Sequence, residues 1–166
     1  MRVPPAAFGP GSRRPFADYL AGTSAVPVHS LDDIVEWLQS CEYVTDSELF
    51  HDRDVWQHPS VFELCRRGDC EDFALWAWRK LAEIGVDAEF YVGRVIGPDD
   101  RPEIDRQHAW VVYRLDDTEF LFEPAARIRS RMIRPLADAV DQYVPHFAVN
   151  HRFDTHAFAG CASDSR

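Results

Sequence analysis

Between residues 31 and 38 the apolar side chains Leu31, Ile34, Val35 and Leu38 recur at helical spacing behind Ser30, a good N-cap, so a helix is predicted from 31 to about 41. A shorter helix follows Pro59. Ser60 and Glu63 have the spacing of a capping box there, and Gly68 closes the segment. Asp69 then precedes Cys70-Glu71-Asp72, placing acids in the first turn of a third helix whose apolar face is Phe73, Ala77, Leu81 and Ile84, with Gly85 as its stop. From Val86 the period changes to two: Ala88, Phe90 and Val92 alternate with Glu89 and Tyr91, giving a strand to about residue 96 that Gly97-Pro98-Asp99-Asp100 breaks. Two further strands, 108–115 and 118–123, flank Asp116-Asp117 as a hairpin. A last helical stretch is expected from Pro135 through Leu136, Ala139, Val140 and Tyr143, ending at Pro145. Helices first and an antiparallel sheet afterwards define the α+β class.

The ends lack this periodicity. Five of the 11 prolines and three of the eight glycines fall in the first 27 residues, so 1–28 is expected to be an extended arm or flexible leader. The folded domain is placed at 29–145 and a C-terminal extension, fraying towards its end, at 146–166. With 166 residues, 46% of them hydrophobic, the chain can bury a core without metal or disulfide staples. The 18 Lys and Arg against 28 Asp and Glu leave a net charge of −10, which gives no electrostatic footprint for nucleic acid and no attraction to anionic lipid. It favours a neutral or basic substrate protein. No apolar run is long enough to span a membrane, and the first residues lack the apolar core of a secretion signal. The four cysteines, Cys41, Cys65, Cys70 and Cys161, lack zinc-type CxxC spacing; they are read as free thiols in a reducing cytoplasm. His146, His151 and His156 recur every five residues, matching neither helix nor strand, and are not read as metal ligands.

Cys70 is the residue with chemistry to explain. At a helix start, unsatisfied N–H groups and the positive end of the dipole favour thiolate, but Asp69, Glu71 and Asp72 oppose it, so a cationic partner is needed. An imidazole can supply the charge and return its proton to a leaving amine. If Leu115 pairs with Thr118 across the hairpin, His108 has Glu123 as its diagonal neighbour on the same sheet face. A loop one residue longer would send Glu123 to the other face.

Gly68-Asp69-Cys70-Glu71-Asp72-Phe73 before a helix, strand-borne Gln107-His108-Ala109-Trp110-Val111, and Phe122-Glu123-Pro124 together resemble the transglutaminase-like cysteine proteinase superfamily, its bacterial proteinase branch most closely. Asp54-Val55-Trp56-Gln57-His58-Pro59 also resembles that family's approach to its cysteine, and the likeness covers about residues 31–126. The resemblance implies a papain-like core with Cys70 as nucleophile, His108 as general base and then acid, and Glu123 as orienter, where the family usually has Asp. It implies acyl transfer through a thioester on a protein or peptide substrate. The oxyanion donors would be the Cys70 N–H and a side chain of the first helix, Trp37 or Gln39. No cofactor is required by this reading, although some members bind calcium through the acids flanking the cysteine, here Asp69 and Glu71.

Other readings stand beside this one. Cys70 can be a buried apolar thiol, His108 a strand histidine, Glu123 an exposed hairpin carboxylate, and the three acids capping residues. The same triad can pass its acyl group to an amine, as a protein-glutamine gamma-glutamyltransferase does. A catalytically silent binding module on the same fold is the third possibility.

Overall fold

The computed structural model describes residues 2–97 and 107–159. A 3-10 turn (Pro5–Phe8) and a short helix α1 (Phe16–Leu20) precede α2 (Leu31–Gln39). Ser30 starts α2 as expected: its Oγ accepts the Asp33 N–H at 3.2 Å, and the Asp33 carboxylate accepts the Ser30 N–H at 3.1 Å. Strand β1 (Glu42–Tyr43), α3 (Asp46–Leu49), α4 (Pro59–Cys65) and β2 (Arg67–Gly68) follow, with β1 and β2 paired in parallel. Next come α5 (Cys70–Glu83), β3 (Asp87–Val95), β4 (Gln107–Leu115) and β5 (Thr118–Phe122). The remaining elements are α6 (Arg129–Met132), β6 (Ile133–Pro135), β7 (Tyr143–Asn150) and β8 (Thr155–Ala157). One antiparallel sheet runs β6-β5-β4-β3-β7-β8.

Alternation on the strands gives the sheet two apolar faces. Ala88, Phe90 and Val92 of β3 and Ala109, Val111 and Tyr113 of β4 belong to the main core with α5, while Trp110, Val112 and Leu121 form a smaller cluster on the opposite face with Ala139. Helix α5 is buried all round along Phe73–Trp78 rather than along one stripe, because the helices and N-terminal segment cover the side that the sheet does not. The hairpin register is the expected one, with Leu115 opposite Thr118 and Val111 opposite Phe122.

Several expectations need correction. Residues 2–28 are not a loose leader: Phe8, Phe16 and Tyr19 are buried, and the Phe16 ring packs against Trp56, Trp78 and Phe90. Arg79 of α5 donates to the carbonyls of Ala21 and Gly22, and Lys80 to that of Val26, so the prolines space anchored aromatics along α5. Ser60 and Glu63 do not cap α4; His58 Nδ1 accepts the Ser60 N–H, and Glu63 is drawn inward to Ser24, Ala25 and Trp76. The helix expected from 135 is a short 3-10 turn (Leu136–Asp138). Tyr143 onward becomes β7, since β3 has an edge to satisfy and Pro145, lacking an N–H, sits where the ladder is interrupted opposite Gly93. Residues 146–150 and 155–157 are therefore strands of the sheet rather than a loose extension. The Pro98-Asp99-Asp100 turn and Cys161 lie outside the described residues.

Candidate active site

The Gly68-Asp69-Cys70-Glu71-Asp72 segment folds as it does because Asp72 turns back over it. Its Oδ2 accepts the Asp69 N–H at 3.3 Å, closing the helix start, while its two oxygens also accept the Gln57 backbone N–H at 2.8 Å and side-chain amide at 2.6 Å. A Cβ on Gly68 would come within 2.3 Å of Asp72 Oδ2, so glycine makes room for this brace. Cys70 is thereby held as the first residue of α5, 8% exposed.

His108 is the second residue of β4, beside the cysteine's end of α5, and Glu123 follows β5 with its N–H bound to the Met132 carbonyl at 2.7 Å. The hairpin register brings them together: His108 Nε2 lies 2.6 Å from Glu123 Oε2. Engagement of Nε2 by a carboxylate places a proton on that nitrogen. Tyr143 Oη donates to the same Glu123 oxygen at 3.0 Å. Cys70 and His108 line one cavity of about 490 Å³, with Tyr43, Asp46, Asp54 and Glu71 on its wall and Phe8-Gly9-Pro10 forming another side. That N-terminal wall is fastened by Gly11 N–H to Asp54 at 2.6 Å and by the Gln107 amide to the Phe8 carbonyl at 2.9 Å.

The charge around the thiol is negative. Burial, then the neighbouring Glu71 and Asp69, push Cys70 well above the ordinary thiol range, and Sγ–H donates to Glu71 Oε2 at 3.1 Å. The Ala109 N–H opposes this by pointing at the sulfur. Burial, then the charge of Asp69, raises Glu71 well above the carboxylate range; burial, with Asp54, raises Asp69 against a hydrogen bond from Glu71; and burial, then the nearby Asp69, Asp54 and Asp52, raises Asp46 to about 6. Asp46 Oδ1 and Asp69 Oδ1 are buried with no hydrogen-bond partner among the described residues. Oxygens of Asp46, Asp54 and Glu71, and of Asp46, Asp69 and Asp72, converge within 4.8 Å of one another.

Of the residues singled out from sequence, Cys70, His108, Glu123, Asp69 and Glu71 are brought into this neighbourhood. Trp37 and Gln39 are not: Trp37 stacks on Trp76 at 4.0 Å, and Gln39 donates to the Arg127 carbonyl. Neither residue lines the cavity that holds Cys70. Asp46 and Tyr143 carry no signal for this site in the sequence, and Asp54 stands there only within the stretch that resembles the family's approach to its cysteine. They arrive from a short helix, a loop and a distant strand, and no local spacing marks them. His146, His151 and His156 belong to no metal-ligand cluster among the described residues; His151 Nε2 bonds the Trp78 carbonyl.

This architecture is an α+β transglutaminase-like core. It is similar to LapG of Legionella pneumophila, with 17% identity and a TM-score of 0.55 over 84% of this chain and 67% of that one. It is also similar to calcium-bound LapG of the same organism, with 18% identity and a TM-score of 0.56 over 82% of this chain and 72% of that one. No curated protein matches the chain in sequence. The model of the bacterial transglutaminase-like cysteine proteinases matches residues 22–144, and the chain belongs to that family.

Proposed function

We propose that this chain hydrolyses a peptide or isopeptide bond of a protein substrate through Cys70, His108 and Glu123. The observation that carries the reading is the cavity shared by Cys70 and His108, with the imidazole backed at 2.6 Å by a buried carboxylate. His108 Nδ1 takes the thiol proton as sulfur attacks the carbonyl carbon; the tetrahedral intermediate collapses, breaking the C–N bond, and His108 gives the proton to the departing amine. Water, losing a proton to the same nitrogen, then attacks the thioester, releasing the acid and restoring the Cys70 thiol. Glu123 keeps the ring oriented and stabilises the imidazolium. The Cys70 backbone N–H is one oxyanion donor in this scheme.

The acidic pocket beside the cysteine supports a calcium ion as part of the site. Buried carboxylate oxygens without donors, raised Asp46, Asp69 and Glu71, and two groups of hard oxygens that share Asp46 suit a divalent cation better than protons. Asp46, Asp54, Asp69 and Glu71 would hold it. Bound there, it would supply the positive charge that lets the Cys70 thiol ionise beside two acids. The test is incubation of the calcium-supplemented protein with a glutamine peptide and casein, with and without a tagged primary amine. New peptide or ammonia release without amine incorporation supports hydrolysis. Tagged product would instead favour transfer, and no turnover with a sluggish Cys70 would favour a binding module.

A further inference from the structure

Glu123 does not meet His108 alone. Its Oε2 accepts from His108 Nε2 at 2.6 Å and from Tyr143 Oη at 3.0 Å, and its carboxylate is buried. Tyr143 reaches it from β7, a strand 20 residues further along the chain, on the sheet face where Trp110 lies. Three features hold the phenol. Its ring packs edge-on against Trp110 at 5.1 Å, the Arg134 guanidinium of β6 stands 5.9 Å over it, and β7 approaches β3 closely at Gly93, the residue paired with His108. A Cβ on Gly93 would come 2.2 Å from the Val144 carbonyl and 2.8 Å from Trp110, so this approach requires glycine there.

We infer that Tyr143 is a positioning residue that fixes the Glu123 carboxylate against His108. This rests on the Cys70–His108–Glu123 reading above. Glu has one more rotatable bond than Asp, and a buried carboxylate with a second free torsion would be poorly aimed by one hydrogen bond. The phenol hydroxyl supplies the second point of attachment. Tyr143 and Glu123 are thus one device: shortening the acid should withdraw it from the phenol, after which the phenol no longer matters.

The experiment is a double-mutant cycle on Tyr143→Phe and Glu123→Asp in the full chain with calcium chloride present. It reads the second-order rate of Cys70 alkylation by iodoacetamide at pH 7 and, by NMR, the His108 Nε2–H proton resonance. Phe keeps the ring packing on Trp110, and melting at the wild-type temperature qualifies each variant. The expected result is a loss of about tenfold for Tyr143→Phe alone, as for one hydrogen bond to a charged group. On the Glu123→Asp background the same change costs less than twofold, and the Nε2–H resonance broadens in both single variants. A wild-type rate and resonance for Tyr143→Phe, or losses that simply multiply, overturn the inference. If His108→Ala and Glu123→Gln slow alkylation while Tyr143→Phe does not, only the positioning role falls; if none of the three slows it, the triad falls and the inference with it. Should Tyr143→Phe fail to fold, Tyr143→Leu, which also lacks the hydroxyl, replaces it in the cycle, with the same two outcomes deciding.

Discussion

His108 Nε2 and Glu123 Oε2 stand 2.6 Å apart although 15 residues separate them, because the hairpin pairs Leu115 with Thr118 and so carries both side chains on one face. The pair gives the first prediction. His108→Ala should abolish turnover, a loss of about 10²-fold or more for a general acid and base, and should slow Cys70 alkylation at pH 7. Glu123→Gln should fall between it and the wild type. Peptide mass spectrometry of iodoacetamide-treated variants measures the rate at Cys70 directly; equal rates in all three proteins would remove His108 from the site.

A second prediction concerns calcium and pH. In the folded protein Asp46 is raised from 3.8 to about 6, so between roughly pH 4 and 6 the native state holds a proton that the unfolded chain releases. Stability without a cation therefore declines as pH rises through that window. Asp69 and Glu71, raised as well, act in the same direction. Glu63, lowered by its partners against its own burial, contributes with the opposite sign, but calcium does not touch it and its effect cancels between arms. Calcium should accordingly raise Tm by several degrees at pH 7 and by little near pH 4.5, as scanning fluorimetry after chelation and re-addition would show. An equal shift at both pH values would argue against binding by these acids.

A third prediction follows from a buried cation. Lys80, fully buried on α5, pairs with Glu63 at 3.3 Å and Glu83 at 2.9 Å, donates to the Val26 carbonyl at 2.7 Å and bonds Ser24. Lys80→Met leaves Glu63 buried without its counter-charge, a cost of about 3–5 kcal/mol that should lower Tm by about 10 °C. Adding Glu63→Gln should return part of it. Loss of both residues should also loosen residues 21–26, which limited proteolysis would detect.

Gly93 supplies a fourth. Alanine there would place a methyl 2.2 Å from the Val144 carbonyl, and the strand beside it must move. Gly93→Ala should cost about 1–3 kcal/mol of stability and slow Cys70 alkylation, because β7 carries Tyr143. Thermal melts and the alkylation assay check the two effects separately. Wild-type behaviour in both would mean that β7 adjusts without disturbing Glu123.

Legibility from sequence followed the range of the interactions. The starts of α2 and α5 are capped by residues within three positions of each other, and Ser30 with Asp33 is visible in the order of residues alone. The β4–β5 hairpin is equally local, so the register alone matches His108 with Glu123. Ser60 and Glu63 show the opposite case. Their spacing fits a cap, yet Glu63 is spent on Ser24, Ala25, Trp76 and Lys80, partners reached only when the N-terminal segment folds over α5. Residues 135–145 have a helical pattern of apolar positions but give a 3-10 turn at Leu136–Asp138 and the start of β7 at Tyr143, since pairing with β3 outweighs an isolated turn of helix.

What the chain's own order determined was therefore the α+β class, the helix start that presents Cys70, and the hairpin that unites His108 with Glu123. Each depends on hydrogen bonds and side-chain periodicity within a short stretch. Tertiary structure alone decided that the proline-rich N-terminus is a wall of the cleft, that Asp46 and Asp54 join Asp69 and Glu71, and that Tyr143 touches Glu123. These contacts join segments whose separation along the chain carries no periodic signal. They form because burying Phe8, Phe16 and Tyr19 and satisfying the edge of β3 are favourable only once the sheet and α5 already exist.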